Sequence, residues 1–236
     1  MKTLIIGTYL QIKNLLRVKK AVFFSFIFPA FIFILFSVVW GTGNAVYTKF
    51  LLTGIIALTV ASDAIFSIGA VVAGYFINGE IKLFKVLPYN FNNHLLALVI
   101  SRLFILIIAV ALLIVIAIAF FNVSLTAIEL RNIFLGVIIG TLIFSLIGLI
   151  VAGIAKEDSG NSGLTNLVFY ALLFLSNCFY ALTDANESLE KIAVINPFNP
   201  ILEITRGNLN FTPIIIWAII LIIIQIIEYN NLKVRR

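Results

Sequence analysis

Six apolar runs, each long enough to cross a bilayer, constrain this chain more than any other feature of its sequence. About 20 helical residues cross the ~30 Å hydrocarbon core, and a run of that length indicates a membrane-spanning helix. Because backbone polar groups in lipid must be satisfied internally, these runs should form helices. The predicted spans are about 21–40, 50–77, 95–121, 132–155, 164–182 and 211–229. The sequence therefore predicts an all-α integral membrane protein in which residues 1–236 form a single transmembrane domain.

The charges give this membrane protein an orientation. The chain is 62% hydrophobic and 11% charged, whereas soluble domains carry about 25% charged residues. Its net charge of +6 is best assigned to loops held on the cytoplasmic side, so we expect membrane lipids and no nucleic acid as partners. With the N-terminus inside, twelve basic residues fall on inner segments and four on outer ones. This asymmetry predicts a multi-pass plasma-membrane protein with both termini in the cytoplasm. The inner residues are Lys2, Lys13, Arg17, Lys19, Lys20, Lys82, Lys85, Arg102, Lys156, Lys233, Arg235 and Arg236, and the outer ones are Lys49, Arg131, Lys191 and Arg206.

Two of the spans should depart from a straight helix of bilayer length. The second covers 28 residues, which would reach ~42 Å as a straight helix, so it must tilt or project into the cytoplasm. In the first span, Pro29 predicts a kink because proline lacks a backbone N–H.

Residues 1–20 predict an amphipathic helix lying in the headgroup plane. Ile5, Tyr9, Ile12 and Leu16 share one helical face, because they recur at steps of three and four residues. A basic strip runs beside that face, where its charges can meet lipid phosphates. The alternative is a basic lead-in to the first span. The strip is formed by Lys13, Arg17 and Lys20.

The sequence lacks the motifs of several kinds of chemistry. Gly-Lys does not occur, so the phosphate-binding loop G-x-x-x-x-G-K-[ST] is absent. The single cysteine, Cys178, excludes an internal disulfide and a thiolate metal site. The only histidine, His94, is predicted to be a solvated loop residue. We therefore expect no enzyme, metal site or bound cofactor in this chain.

Asp63 is the one acidic residue deep in a predicted span. A carboxylate at this depth costs about 2.5–3.5 kcal/mol on insertion scales, so it should face a partner or water. One interpretation is a polar point on a translocation path or an ion-linked step. The other is a hydrogen bond between helices, and the sequence gives the two equal weight.

Small residues at four-residue spacing allow helices to approach closely. They indicate either an interface between subunits or, as we favour, packing within one subunit. The pairs are Gly136/Gly140, Gly69/Ala73 and Ala70/Gly74.

The stretch NGEIKLFKVLPYN, residues 78–90, predicts a short cytoplasmic helix between spans two and three. Gly79 marks its start and Pro88 its end. One side is apolar and flanked by lysines, so it should be buried against the membrane surface or in a groove of a soluble partner. That side is formed by Leu83, Phe84 and Leu87, flanked by Lys82 and Lys85.

Residues 183–210 form the longest predicted outer segment. It is too apolar for a solvated loop and too short to span the membrane, which predicts a re-entrant or interfacial helical hairpin. Its apolar positions are Ile192, Ile195, Phe198, Ile201, Leu202 and Ile204.

Taken together, these features resemble the membrane subunit of an ABC exporter of the ABC-2 type. The resemblance lies in their order: a basic amphipathic N-terminal helix, six spans, the inner loop GEIKLFKVLPYN and the outer segment INPFNPILEITRG. Asn199, Pro200 and Arg206 occupy the family's Asn-Pro and Arg positions, with Asn196-Pro197 as an alternative alignment. Where the family often has a basic residue after the acidic one, this chain has Ile81.

The resemblance implies an ATP-driven exporter made of several chains. Two permease subunits, identical or siblings, would form the pathway, and each would dock a separate subunit that holds ATP and Mg. Residues 79–88 would be the coupling helix, and the outer segment would be an extracellular re-entrant hairpin. The coupling residues would be Glu80, Lys82, Leu83, Phe84, Lys85, Leu87 and Pro88.

The apolar composition suits a hydrophobic or amphipathic cargo, such as a drug, a lipid-linked glycan or a peptide antibiotic, and sodium or haem export also stays open. The competing function is an ion-coupled secondary transporter that uses Asp63. A third is a membrane anchor that moves nothing.

Overall fold

The computed structural model describes residues 2–41, 43–80, 91–154, 158–180, 191 and 193–234. Eight helices account for most of this described part of the chain. They are α1 (Lys2–Arg17), α2 (Lys19–Trp40), α3 (45–77), α4 (Phe91–Phe121), α5 (Ala127–Ile154), α6 (Asp158–Phe174), α7 (Phe198–Arg206) and α8 (Thr212–Val234).

Four of these helices have the length and apolarity to cross a membrane: Lys19–Trp40, Ala45–Ile68, Phe91–Phe121 and Ala127–Ile154. They coincide with the first four predicted spans. The fifth and sixth predicted spans correspond to shorter apolar helices, Gly163–Phe174 and Thr212–Ile227. The described residues therefore form a multi-pass helical membrane protein.

The fifth predicted span was placed too far along the chain. The sequence predicted 164–182, but α6 ends at Phe174 and residues 175–180 form turns and bends. Ser176 stops the helix, because its backbone N–H and its hydroxyl both donate to the carbonyl of Leu173. Such tightening of a last turn satisfies carbonyls that the helix itself leaves unpaired.

The sequence predicted a kink at Pro29, and α2 contains a π-helical turn, Phe23–Ile27, just before the proline. A proline ring presses on the carbonyl four residues earlier, here that of Ser25. The π turn therefore follows from the proline and fixes the position of Ser25, which is buried.

A second π turn interrupts α3. This helix is α-helical over Ala45–Ser62, π-helical over Asp63–Ile68 and α-helical again over Gly69–Ile77. It begins five residues earlier than the predicted span, because the Asn44 side chain accepts the backbone N–H of Tyr47 at 3.0 Å as an N-cap. π turns occur often at functional sites, and this one begins at Asp63.

The centre of the bundle is formed by α3 and α5. In the apolar window of α3, 83% of the residues are buried, and α5 packs against α3, α4, α6, α7 and α8. Gly69 and Gly148 let α3 and α5 approach closely, since a Cβ on Gly69 would lie 2.9 Å from the carbonyl oxygen of Gly148.

The Gly136/Gly140 pair packs within this subunit, as the sequence favoured. A Cβ on Gly136 would overlap the Thr205 side chain of α7, and one on Gly140 would lie 3.1 Å from Ile201. The pair therefore makes room for α7 against α5, and α7 also contacts α3.

The helix predicted at the N-terminus is present as α1, which packs along α4. Leu15 is buried, whereas Ile5, Tyr9 and Leu16 of the predicted apolar face are more than half exposed. That face is left uncovered by the described protein.

Candidate functional site

Two polar clusters lie among the apolar helices. We call the first the Arg206 clamp; it consists of Asn196, Asn199 and Arg206, which hold α7 to α3 and to the segment after α6. We call the second the Asp63 cluster; it consists of Ser25, Asp63, Ser67 and Arg102, which join α2, α3 and α4.

In the Arg206 clamp, the two asparagines of the Asn-Pro motifs both bind backbone. Asn196 Nδ2 donates to the carbonyl oxygens of Leu172 and Leu175, at 2.6 and 2.8 Å, at the carboxyl end of α6. Asn199 Oδ1 accepts the N–H of Asn177 at 2.7 Å, and its Nδ2 donates to Ala193 at 2.6 Å. The two candidate alignments of the motif therefore mark two parts of one structure.

Arg206 lies at the end of α7, where Gly207 stops the helix with φ of 106°. Its Nε donates to Thr53 Oγ1 at 3.1 Å and its Nη2 to the carbonyl of Asn177 at 2.8 Å. The guanidinium carbon also lies 3.8 Å from the centre of the Phe50 ring, a cation–π contact. Arg206 thus ties α7 to α3 and to the chain after α6.

The predicted outer hairpin is described only in part. In α7, Phe198, Pro200, Ile201, Leu202 and Ile204 are buried, whereas Ile195 is exposed. Residues 181–190 and Ile192, which the prediction also covers, lie outside the described residues.

In the Asp63 cluster, two hydroxyl donors and one guanidinium group meet one oxygen. Ser25 Oγ and Ser67 Oγ donate to Asp63 Oδ1 at 3.2 and 3.4 Å. Arg102 Nη1 lies 3.5 Å from the same oxygen. Oδ2 is buried and has no hydrogen-bond partner among the described residues. The Asp63 side chain is 6% exposed and that of Arg102 is 12% exposed.

Arg102 is a correction to the sequence interpretation. It was counted among the inner basic residues, but it lies well inside α4 and faces Asp63. A guanidinium beside a buried carboxylate compensates its charge, which lowers the cost of burying both. The signal in the sequence was its position within the predicted span 95–121, where a charged residue needs a partner.

His94 is a second correction. It lies in α4 rather than in a solvated loop, and its Nε2 is 2.8 Å from Tyr75 Oη and 3.5 Å from Gln11 Nε2. Tyr75 belongs to α3 and Gln11 to α1. His94 therefore joins α1 to the two helices that flank residues 81–90.

Most of the predicted coupling residues lie outside the described residues. The structure describes Glu80, whose Oε1 accepts from Asn78 Nδ2 at 3.4 Å. Those not described are Lys82, Leu83, Phe84, Lys85, Leu87 and Pro88.

No group of three metal-ligating side chains occurs among the residues that the structure describes. The described spans, with apolar faces outside and polar clusters between helices, form a multi-pass helical membrane protein. The family described as ABC-2 type transporter matches residues 4–210, and the chain belongs to this family. It is the transmembrane component of an ABC transporter, and the family resemblance stated from the sequence is confirmed. No curated protein matches the chain.

Proposed function

We propose that this chain is the permease subunit of an ATP-driven exporter and that a separate ATP-binding subunit drives it. In this proposal two permease copies, or one copy and a sibling, form the pathway in the plasma membrane. Both termini face the cytoplasm, ATP and Mg are held by the partner, and the cargo is hydrophobic or amphipathic. Membership of the ABC-2 family over residues 4–210 is the observation that carries the proposal.

The contact with the ATP-binding subunit is assigned to Glu80–Pro88. This loop connects α3 and α4, so a push on it acts on both helices at once. The His94 contacts support this route, because they link α1, α3 and α4 close to both ends of the loop. α1 would thereby brace the loop while its uncovered apolar face lies in the headgroup region.

Coupling then works as a change in helix packing. ATP-driven closure of the two ATP-binding subunits would move the loops, and packed helices respond by shifting as rigid elements. The α3–α4 pair carries the Asp63–Arg102 contact between its helices. A movement of the loop would therefore reach the polar cluster in the middle of the bundle.

The proposal is tested by co-expressing the chain with candidate ABC ATP-binding subunits, purifying the complex and measuring ATP hydrolysis. Leu83→Asp and Phe84→Asp should release the partner or uncouple its ATP turnover, since a carboxylate in an apolar groove is costly. Leu209→Asp, the same change in the exposed segment before α8, is the control and should leave turnover unchanged.

A stable complex with normal ATP turnover in both loop variants would contradict the coupling assignment. Transport driven by an ion gradient without ATP would favour the ion-coupled alternative that uses Asp63.

A further inference from the structure

An apolar groove of about 580 Å³ lies between α2, α3 and α6, and Asp63 is part of its lining. We call it the Asp63 groove. Its walls are rich in aromatic rings, which offer large apolar faces with negative potential at their centres. The aromatic residues include Phe24, Phe28, Phe66, Phe169, Tyr170 and Phe174.

One edge of the groove carries four hydroxyl groups, and each already donates its proton within the protein. Ser25 and Ser67 donate to Asp63 Oδ1. Thr59 donates to the carbonyl of Ile55 at 2.7 Å, and Ser62 donates to the carbonyl of Thr59 at 3.1 Å. A hydroxyl has one proton to donate and two lone pairs. This edge therefore offers acceptors only.

Asp63 adds an acceptor that lacks a donor. Its Oδ1 accepts the two serine hydroxyls and pairs with Arg102, while Oδ2 has no hydrogen-bond partner among the described residues. Buried polar atoms without a partner are rare in native proteins, so Oδ2 retains the capacity to accept a hydrogen bond. Arg102 binds the other oxygen and balances the charge without occupying Oδ2.

These observations define the chemistry of a ligand. A protonated primary amine has three N–H donors and no acceptor, so it leaves nothing unsatisfied at an edge made of acceptors. Its positive charge also suits aromatic walls. An alcohol would bring lone pairs to an edge without donors, and a quaternary ammonium would bring no N–H at all.

We infer that the Asp63 groove binds an amphipathic amine, with its ammonium group at the Ser62–Asp63 edge and its apolar body among the aromatic rings. That such an amine is cargo rests on the function proposed above. The claim that the groove binds the amine does not depend on that function.

The binding test uses the full chain in lipid nanodiscs at neutral pH and needs no ATP-binding subunit. Three radiolabelled probes share one alkyl chain: octylamine, octanol and octyltrimethylammonium. Partition into protein-free nanodiscs is subtracted. We expect saturable octylamine binding that is at least roughly tenfold tighter than that of the other two, the difference that one charge-assisted hydrogen bond makes. Equal binding of octanol or of octyltrimethylammonium, or no saturable octylamine binding, would overturn the inference.

Variants locate the binding site. The double variant Asp63→Asn/Arg102→Gln keeps the cluster neutral overall, and it should weaken octylamine binding by about tenfold. Ser62→Ala should weaken it by about fivefold, the effect of one neutral hydrogen bond. Ser145→Ala is the matched control, since Ser145 on α5 also donates to its own helix, at Thr141, and is not in the groove lining. Unchanged affinity in both groove variants would place the amine elsewhere.

The two proposals fail separately. Loss of amine binding with intact partner docking removes only this inference. If the chain binds the amine but forms a complex with no ATP-binding subunit, the groove assignment stays intact and the proposed coupling is removed.

Discussion

The Arg206 clamp and the Asp63 cluster are built from similar groups, but they bind differently. In the clamp, Asn196, Asn199 and Arg206 bind backbone carbonyls and amides at 2.6 to 2.9 Å, and Arg206 also stacks on Phe50. In the cluster, the contacts to Asp63 are 3.2 to 3.5 Å long and converge on one oxygen.

The difference separates a fixed region from an adaptable one. A fully satisfied polar network holds one arrangement, whereas a partly satisfied network has acceptors left for another molecule. The clamp faces packed helices, and the cluster faces a groove. We therefore assign the clamp to structure and the Asp63 groove to ligand binding.

The largest expected effect comes from breaking the charge pair on one side. Arg102→Gln leaves Asp63 buried without a counter-charge and should lower the free energy of unfolding by about 3–5 kcal/mol. Asp63→Asn/Arg102→Gln should restore most of it, because removing both charges together is often close to neutral. Thermal unfolding of the purified chain in detergent compares the two. A double variant as unstable as the single one would mean that the pair stabilises the fold beyond charge compensation.

A smaller loss of unfolding free energy is expected in the clamp, where no second substitution can compensate for the first. Arg206→Ala removes two hydrogen bonds and the Phe50 contact and should cost about 2–4 kcal/mol. Arg131→Ala is the control, because Arg131 is exposed and, within the described part of the chain, its side chain donates only to Oδ1 of its neighbour Asn132. The same unfolding experiment applies, and a clamp variant as stable as the control would remove the structural assignment.

A still smaller loss of unfolding free energy is expected where the clamp meets α3. A Cβ at Gly54 would overlap the carbonyl oxygen of Cys178, so Gly54→Ala should cost about 1–3 kcal/mol through overpacking. Gly74→Ala, in the same helix with nothing within 4 Å of its Cβ, should be neutral or stabilising by up to ~1 kcal/mol. Only the Gly54 variant should therefore lower the unfolding temperature, and an equal decrease in both variants would contradict the close contact.

Much of the fold follows from the sequence, because apolar length and periodicity determine which segments cross the membrane. The first four spans, the N-terminal helix and the glycine packing surfaces were predicted on that basis. The end of α6 was misplaced because the apolar run continues past Phe174, whereas the helix is stopped by Ser176 and capped by Asn196 from later in the chain. A bond across 20 or more residues leaves no local signal.

The polar sites were predicted in part. Asp63 was identified because a carboxylate in an apolar run stands out, but its partners Ser25 and Arg102 lie on other helices and the pairing needs the packed bundle. Arg206 and the asparagines were identified by resemblance to a family. Neither route showed that they bind backbone. His94 was misassigned because its neighbours in sequence are polar, while its contacts in space belong to α1 and α3.

The native cysteine provides the most direct test of a fixed clamp beside an adaptable groove. Cys178 is fully buried next to the clamp, where its Sγ donates to the carbonyl of Gly54 at 3.1 Å. In the Ser62→Cys variant, labelling by N-ethylmaleimide in nanodiscs can be followed at both thiols by mass spectrometry. We predict that Cys178 stays unlabelled with or without octylamine, whereas the thiol introduced at position 62 is labelled and octylamine protects it. Rapid labelling of Cys178, or a thiol at position 62 that octylamine does not protect, would contradict the account.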